Sequence, residues 1–288
     1  MIAPYPDSVR PAGGPGMRGG VLLRAELVAG RTRITELSCR PPLQVLRAHH
    51  VDPQRPDLAS VILASPSGGI LQGDELTIDV RVGRGARLRV LTQSATRIYR
   101  APVSEARTTV NVEVDPEGYL EYLPDPIIPY AGSRFRSRAT FAVAETGTLI
   151  AWEVVAPGRV ARDEILAFAR FESSVEIVRP EGTLLATDAI VLDDREGFRV
   201  VGALGAYVAF GTLYLVRSRA DPAILRSADG SAAALPVSVG ASSLPFGAGA
   251  WLRVLGDSQG AVAALLASAY RAALSAREAE PEAGQDAC

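Results

Sequence analysis

A carboxylate inside an apolar strand is the group in this chain with most capacity for chemistry. Glu153 follows Trp152 within such a run, over 148–155. It must be buried or line an internal cavity, and burial without a partner is costly. Arg159, Arg162 or a water channel can compensate. His49-His50 is the only histidine pair. Paired imidazoles bind nickel, copper or zinc, but neither helical i,i+4 spacing nor a nearby cysteine pair supports that here. Two solvated loop histidines ahead of Asp52-Pro53 are the simpler reading. Glu121 and Asp125 suggest glycosidase carboxylates. Both lie close to Pro124 and Pro126 in an expected turn, and nothing places them across a sugar. No G-x-S-x-G elbow supports a serine hydrolase, and the glycines of 13–20 follow no strand, so they make a poor dinucleotide loop.

Composition narrows the metal chemistry. With 2 His and 2 Cys in 288 residues, a tight soft-ligand site is not expected. A metal handled here would meet carboxylate, carbonyl and water, which favours weak, transient binding. The chain has no lysine, all 30 basic residues being arginine. That excludes a Walker A nucleotide site, a pyridoxal Schiff base and the protein-kinase lysine. A net charge of −2 gives no reason to expect nucleic-acid or anionic-membrane binding. No apolar run approaches the roughly 18 residues of a transmembrane helix, and the N-terminus lacks the apolar core of a secretory signal. Cys39 and Cys288 are too few for a disulfide framework, so a reducing cytoplasm is the expected compartment.

The elements that must position these groups are mostly strands. Gly68-Gly69 and Gly73-Asp74 precede Leu76, Ile78, Val80 and Val82, which alternate with Thr77, Asp79 and Arg81. Gly83 and Gly85 then make a tight reversal, and Leu88 and Val90 alternate with Arg87 and Arg89, which predicts an antiparallel hairpin. Further strands are expected over 21–28, 31–38, 58–64, 108–114, 119–123, 135–143, 148–155, 174–178, 183–192 and 206–216. Apolar residues at helical spacing predict one amphipathic helix over 258–277. Residues 1–19 and 278–288 read as tails around a single domain over 20–277. A weak recurrence, Val-x-x-x-Gly-x-Leu, centres on Gly118, Gly147 and Gly182, with a looser relative at Gly85, about one every 30 residues. It predicts a mainly β fold of stacked, β-helix-like layers with one C-terminal helix and few other helical turns; an ordinary meandering sandwich is the alternative.

Five ordered motifs carry a resemblance. They are Gly68-Gly69-Ile70-Leu71-Gln72-Gly73-Asp74, then Leu91 to Arg100 with Thr92, Gln93, Thr96 and Tyr99, then Leu120-Glu121-Tyr122-Leu123-Pro124. Trp152-Glu153 through Gly158-Arg159 to Glu164 follows, and Leu255-Gly256-Asp257-Ser258 closes the series. In order and spacing, over 19–276, the chain resembles the urease accessory protein UreD (UreH) family. It departs from the family pattern at Leu91, Arg97 and Tyr122, and at Ala156 or Pro157, where many relatives carry a cysteine. Arg97 keeps the charge of the usual lysine but changes its hydrogen-bond geometry.

The resemblance implies a non-enzymatic scaffold for nickel delivery. It implies partners UreF, UreG through UreF, and the urease apoprotein, with nucleotide hydrolysis left to a partner. It also implies transient Ni2+ in an internal channel and no tightly bound cofactor. A wet path lined by carboxylates would use Asp74, Glu153 and Asp188, with Glu164 after them; Asp74 alternatively fixes its turn, and Glu153 and Asp188 alternatively serve as ion-pair partners. Two other classes stay open. A β-rich small-ligand or carbohydrate-binding module would be stabilised by its ligand without urease, and a hydrolase would turn over substrate alone. Apolar strands and arginine-rich turns also suggest poor solubility of the isolated chain.

Overall fold

The structure is a computed structural model and describes residues 15–193, 204–218, 220–226 and 236–278. The first strands are β1 (Arg18–Val28), β2 (Arg31–Arg40), β3 (Gln44–His49), β4 (Ala59–Ala64), β5 (Glu75–Val82) and β6 (Arg87–Thr92). The middle of the chain forms β7 (Thr96–Ile98), β8 (Ala106–Val114), β9 (Tyr119–Leu123), β10 (Ile127–Pro129), β11 (Arg134–Val143) and β12 (Thr148–Val155). Then come β13 (Arg170–Val178), β14 (Leu184–Asp193), β15 (Ala209–Val216), β16 (Val237–Ser243) and β17 (Gly249–Gly256). A single turn of helix, α1 (Pro222–Arg226), the long helix α2 (Gln259–Glu278) and two 3-10 turns, Val160–Arg162 and Pro245–Gly247, complete the described elements.

Two sheets face each other. The first has the order β14-β13-β11-β8-β5-β1-β2, and the second β16-β17-β15-β12-β9-β6-β4-β3. In the first sheet β1, β5, β8, β11 and β13 run parallel. In the second, β4, β6, β9 and β12 do the same. Antiparallel strands close every edge: β2 and β14 on one sheet, β3 and β16 on the other. Between the sheets, on a third and shorter face, β7 pairs in parallel with β10, Ile70 bridges Ile98, and Ile127 pairs Val155. The chain thus winds from the first sheet to the second to the third face and back, and successive coils stack. The expected mainly β, β-helix-like fold is what forms.

The expected hairpin at Gly83–Gly85 does not form. Strand β5 belongs to the first sheet and β6 to the second, so the glycine turn is a corner between sheets. The same holds at Gly118, between β8 and β9, and at Gly147, between β11 and β12. These corners lie on one another: Gly85 N–H donates to the Pro116 carbonyl at 3.3 Å, Tyr119 to Ala86 at 2.9 Å and Thr148 to Gly118 at 2.9 Å. A Cβ on Gly118 would stand 2.9 Å from the Asp115 carbonyl oxygen and 3.3 Å from that of Gly83. The fourth member of the recurrence is different, because β13 and β14 are paired antiparallel and Gly182 closes a true hairpin with nothing within 4 Å of a Cβ.

Burial follows the layers. Strands of the first sheet alternate buried and exposed, as in β5 and β8, because their outer face meets solvent. Strands β9 and β15 are buried along their whole length: α2 covers the outer face of β12, β15 and β17, and Arg55 and Arg89 close over Glu121 on β9. Val21, Leu23, Val80, Leu88, Val112, Leu120, Phe171 and Phe210 fill the space between sheets. Leu58, Ile150, Leu213, Leu252 and Val254 meet Val262, Leu265 and Leu266 of α2 in a second core. The helix starts at Ser258, whose Oγ accepts from Ala261 N–H at 3.2 Å. Strand β1 begins inside the expected N-terminal tail, whose first 14 residues lie outside the described region, as do residues 279–288 of the C-terminal one. Strands β3, β7, β10, β16 and β17 were not legible from periodicity.

Candidate functional site

A cavity of about 180 Å³ lies between the sheets and opens on the third face. Its mouth is built where the chain turns at that face. Ser65, Gly68 and Gly69 come from one coil, Thr92 to Arg97 from the next, and Pro124, Asp125 and Ile127 from the third. Most of its wall is apolar, with Leu63, Ile78, Val110, Phe135, Phe141 and Val175 among the lining residues. Glu153, Tyr214 and Tyr122 add polar atoms along it.

Strand parity explains the position of Glu153. Ile150, Trp152 and Val154 point to the α2 side, and Leu149, Ala151 and Val155 to the space between sheets. Glu153 shares the inward parity. Along its cross-strand row, Glu153 pairs Thr212 and Thr212 pairs Arg253, so all three project inward. Ser173 on the facing sheet donates to Glu153 Oε2 at 2.9 Å. Burial pushes the Glu153 carboxyl up to about 7, against the pull of the Ser173 hydroxyl and the Arg253 charge, and nearby Asp188 adds to the rise. The same environment raises Tyr122 and Tyr214, chiefly by burial, with the charges of Glu153 and Asp188 helping.

Asp188 sits opposite, on β14, and does not line the cavity itself. It accepts hydrogen bonds from the Tyr214 hydroxyl and from Arg253 Nη2, both reaching across from the second sheet. Two polar links therefore cross the gap side by side, Glu153–Ser173 and Asp188–Tyr214/Arg253. The other two candidate carboxylates stand elsewhere. Asp74 is buried in its turn and accepts backbone N–H bonds from Met17 and Leu71, both at 2.8 Å. Glu164 pairs with Arg159 through both carboxylate oxygens and accepts from Ala131 N–H at 3.1 Å. The Arg159 hydrogen bond holds its carboxyl below the usual range. The structure thus brings Glu153 and Asp188 together and holds Asp74 and Glu164 in separate turns, Asp74 buried in its own. Among the described residues, no three of His, Cys, Asp and Glu are grouped to hold a metal ion.

The family-motif residues converge although they are far apart in sequence. A Cβ on Gly69 would lie 2.5 Å from the Arg97 carbonyl oxygen and 2.6 Å from the Tyr99 ring, so only glycine fits beneath that segment. Tyr99 and Tyr130 pack edge to face at 5.1 Å, and the Arg159 guanidinium lies 4.2 Å from the Tyr130 ring. Gly158 has φ +131° and a Cβ there would reach the Glu164 carbonyl at 2.2 Å. Gly73, at φ +73°, sits in the turn that Asp74 ties. Thr92 Oγ1 accepts from Asp125 N–H at 2.8 Å, and Trp152 Nε1 donates to the Pro124 carbonyl at 2.9 Å. Gln93 and Thr96 complete the rim.

Glu121 lies mid-strand in β9, on the α2 side, and not in the expected turn. It is fully buried and bonded by Arg55 at 2.6 Å, by Arg89 and by Tyr119. Burial opposes its ionisation, but the hydrogen bonds from Arg89 and Tyr119 and the two arginine charges outweigh that and hold its carboxyl low. Trp152 separates this network from the cavity, lining both the cavity and a shallow groove with Asp52, Arg89 and Tyr270. His49 is exposed on β3, and His50 Nε2 lies 3.0 Å from the Thr32 carbonyl. Ser173, Tyr214 and Arg253 were not anticipated; the one signal was an arginine at inward parity in Trp251-Leu252-Arg253-Val254.

Fold and site define a stack of β-coils with a cavity between its two sheets. A model of the UreD urease accessory protein family matches residues 17–285. The chain is 36% identical over 263 residues to urease accessory protein UreD 2 of Streptomyces griseus, covering 89% of each chain. It is 32% identical over 264 residues to urease accessory protein UreD of Haloarcula marismortui, covering 90% of this chain and 86% of that one. It is 37% identical over 257 residues to urease accessory protein UreD 3 of Methylorubrum populi, covering 85% and 81%. The chain belongs to the UreD family of urease accessory proteins, which serve urease maturation and are accessory proteins rather than catalysts.

Proposed function

We propose that this chain promotes nickel insertion into the urease apoprotein by giving Ni2+ a path through the cavity between its sheets. In this reading it bridges urease and the accessory proteins UreF and UreG, and works in the cytoplasm. The observation that carries the reading is the cavity itself: its mouth is made of family-motif residues from three coils, and a carboxylate stands along it. Oxygen donors that come singly hold a dication weakly, which suits a cargo that must leave. Glu153 is the residue proposed to touch the ion. Asp188 acts beside it, and Asp74 and Glu164 shape the turns around the third face.

The test is Glu153→Gln in cells carrying the urease operon. Normal folding with nickel-poor, weakly active urease is expected, and full nickel loading by that variant removes Glu153 from the path. Omitting the chain altogether should leave urease nickel-poor; full loading without it, and without a substitute relative, removes the maturation role. The apolar walls favour one other reading, a module for a small apolar ligand. It predicts that such a ligand raises the melting temperature of the isolated chain and that urease loading is indifferent to it.

A further inference from the structure

A cation path with an arginine beside its carboxylates calls for an explanation. Arg253 projects inward from β17, in the same cross-strand row as Glu153. Its Nη2 binds Asp188, while its Nε is buried with no hydrogen-bond partner among the described residues. Asp188 also receives the Tyr214 hydroxyl. Without the guanidinium, two carboxylates from facing sheets would share one gap, beside a cavity that reaches Glu153 and Tyr214. Two carboxylates at one position chelate a divalent cation, and with the Arg253 and Asp188 side chains only 23% and 24% exposed, each unit of charge still weighs more than at the open surface.

We propose that Arg253 keeps this position a place of transit: it neutralises Asp188, so that Glu153 alone attracts a divalent cation and no chelate forms. Arg253 is thus a positioning residue, acting on the ion through Asp188. Lysine is absent from the chain, so the charge here comes with a planar group that can hold a carboxylate and remain ionised. The inference rests on the proposed passage of Ni2+, but its measurement does not depend on urease.

The experiment is equilibrium dialysis of Ni2+ against the purified full-length chain. Arg253→Gln removes the charge and retains a donor for Asp188; it should hold Ni2+ roughly tenfold or more tighter than the parent chain. Arg253→Lys, which keeps the charge, should restore parental affinity. Arg253→Gln with Asp188→Asn, which removes the second carboxylate, should do so as well. In cells, Arg253→Gln should then slow urease loading although it binds more nickel, a combination that mere loss of structure does not produce. Unchanged Ni2+ affinity in Arg253→Gln overturns the proposal, whatever happens to urease. If Arg253→Gln does not fold, Arg253→Met paired with Asp188→Asn against Arg253→Met alone makes the same comparison, and equal affinities in that pair overturn it too. Failure of the passage reading shows itself separately, as full urease loading in cells carrying Glu153→Gln.

Discussion

Glu153, half-buried on the cavity wall, and Glu121, fully buried, stand on neighbouring strands, and their surroundings push them in opposite directions. At Glu153 desolvation outweighs the Ser173 hydroxyl and the Arg253 charge, so its folded pKa, about 7, lies above its unfolded value. The folded state therefore binds more protons between about pH 4.5 and pH 7, and stability falls as pH rises through that window. Glu153→Gln should match the parent in thermal stability near pH 4 and exceed it by about 3 kcal/mol near pH 8. Melting curves across that range check it, and a flat difference contradicts it. A stabilised variant that still loads less nickel would separate function from folding. Glu121 is the reverse case. Its folded pKa is depressed, so its contribution is present above the unfolded value and is lost as pH falls through the folded one. Glu121→Ala leaves Arg55 and Arg89 with Asp52 as their remaining carboxylate and should cost about 3 kcal/mol at pH 7 by urea unfolding. The sequence showed that Glu153 had to be buried or face a cavity, because a charge stood in an apolar alternation. It did not show the partners: Ser173, Asp188 and Arg253 arrive from strands 20 to 100 residues away, and no local pattern encodes that pairing.

The glycine corners are where local sequence and tertiary structure part. A short glycine turn between alternating strands is the same pattern whether the second strand returns along the first or crosses to another sheet. Only the long-range partner decides, and for β5 that partner is β8, 32 residues on along the register from Val82 to Val114 (114 − 82). The recurrence of the glycines, by contrast, was legible, because stacked corners repeat their steric demand once per coil. Gly118→Ala should destabilise by about 1–2 kcal/mol, since its Cβ meets the Asp115 carbonyl oxygen at 2.9 Å. Gly240→Ala, on the edge strand β16 with nothing within 4 Å of the new carbon, should be neutral or stabilising by about 0.5 kcal/mol. Equal losses at both positions would mean that the stacked corners bear no special load. The C-terminal helix was legible for a different reason: its apolar stripe repeats at helical spacing, and Ser258 marks its start.

At the scale of the whole molecule, α2 makes the second sheet a two-sided structure. It covers a face carrying Ile150, Val154, Leu213, Leu252 and Val254, all almost fully buried. Truncation before Gln259 would open that face to solvent, and the shortened chain should sediment with the insoluble fraction while the parent stays in the supernatant. Among the described residues, no helix is long and apolar enough to cross a membrane. Even the intact chain leaves Phe246 and Val103 more than four-fifths exposed, at 83% and 84%, which suits a protein that works against partners.

The chain has 2 tryptophans, one on the cavity wall and one beside Arg253 on β17. Trp152 forms part of its wall, and the Trp251 ring lies 5.8 Å from the Arg253 guanidinium. That placement makes the protein its own optical sensor. A paramagnetic ion arriving at Glu153 should dim the indole emission without any attached label, whereas Mg2+ should leave it bright. Trp152→Phe should remove most of the response, so arrival and release could be followed in real time by light alone.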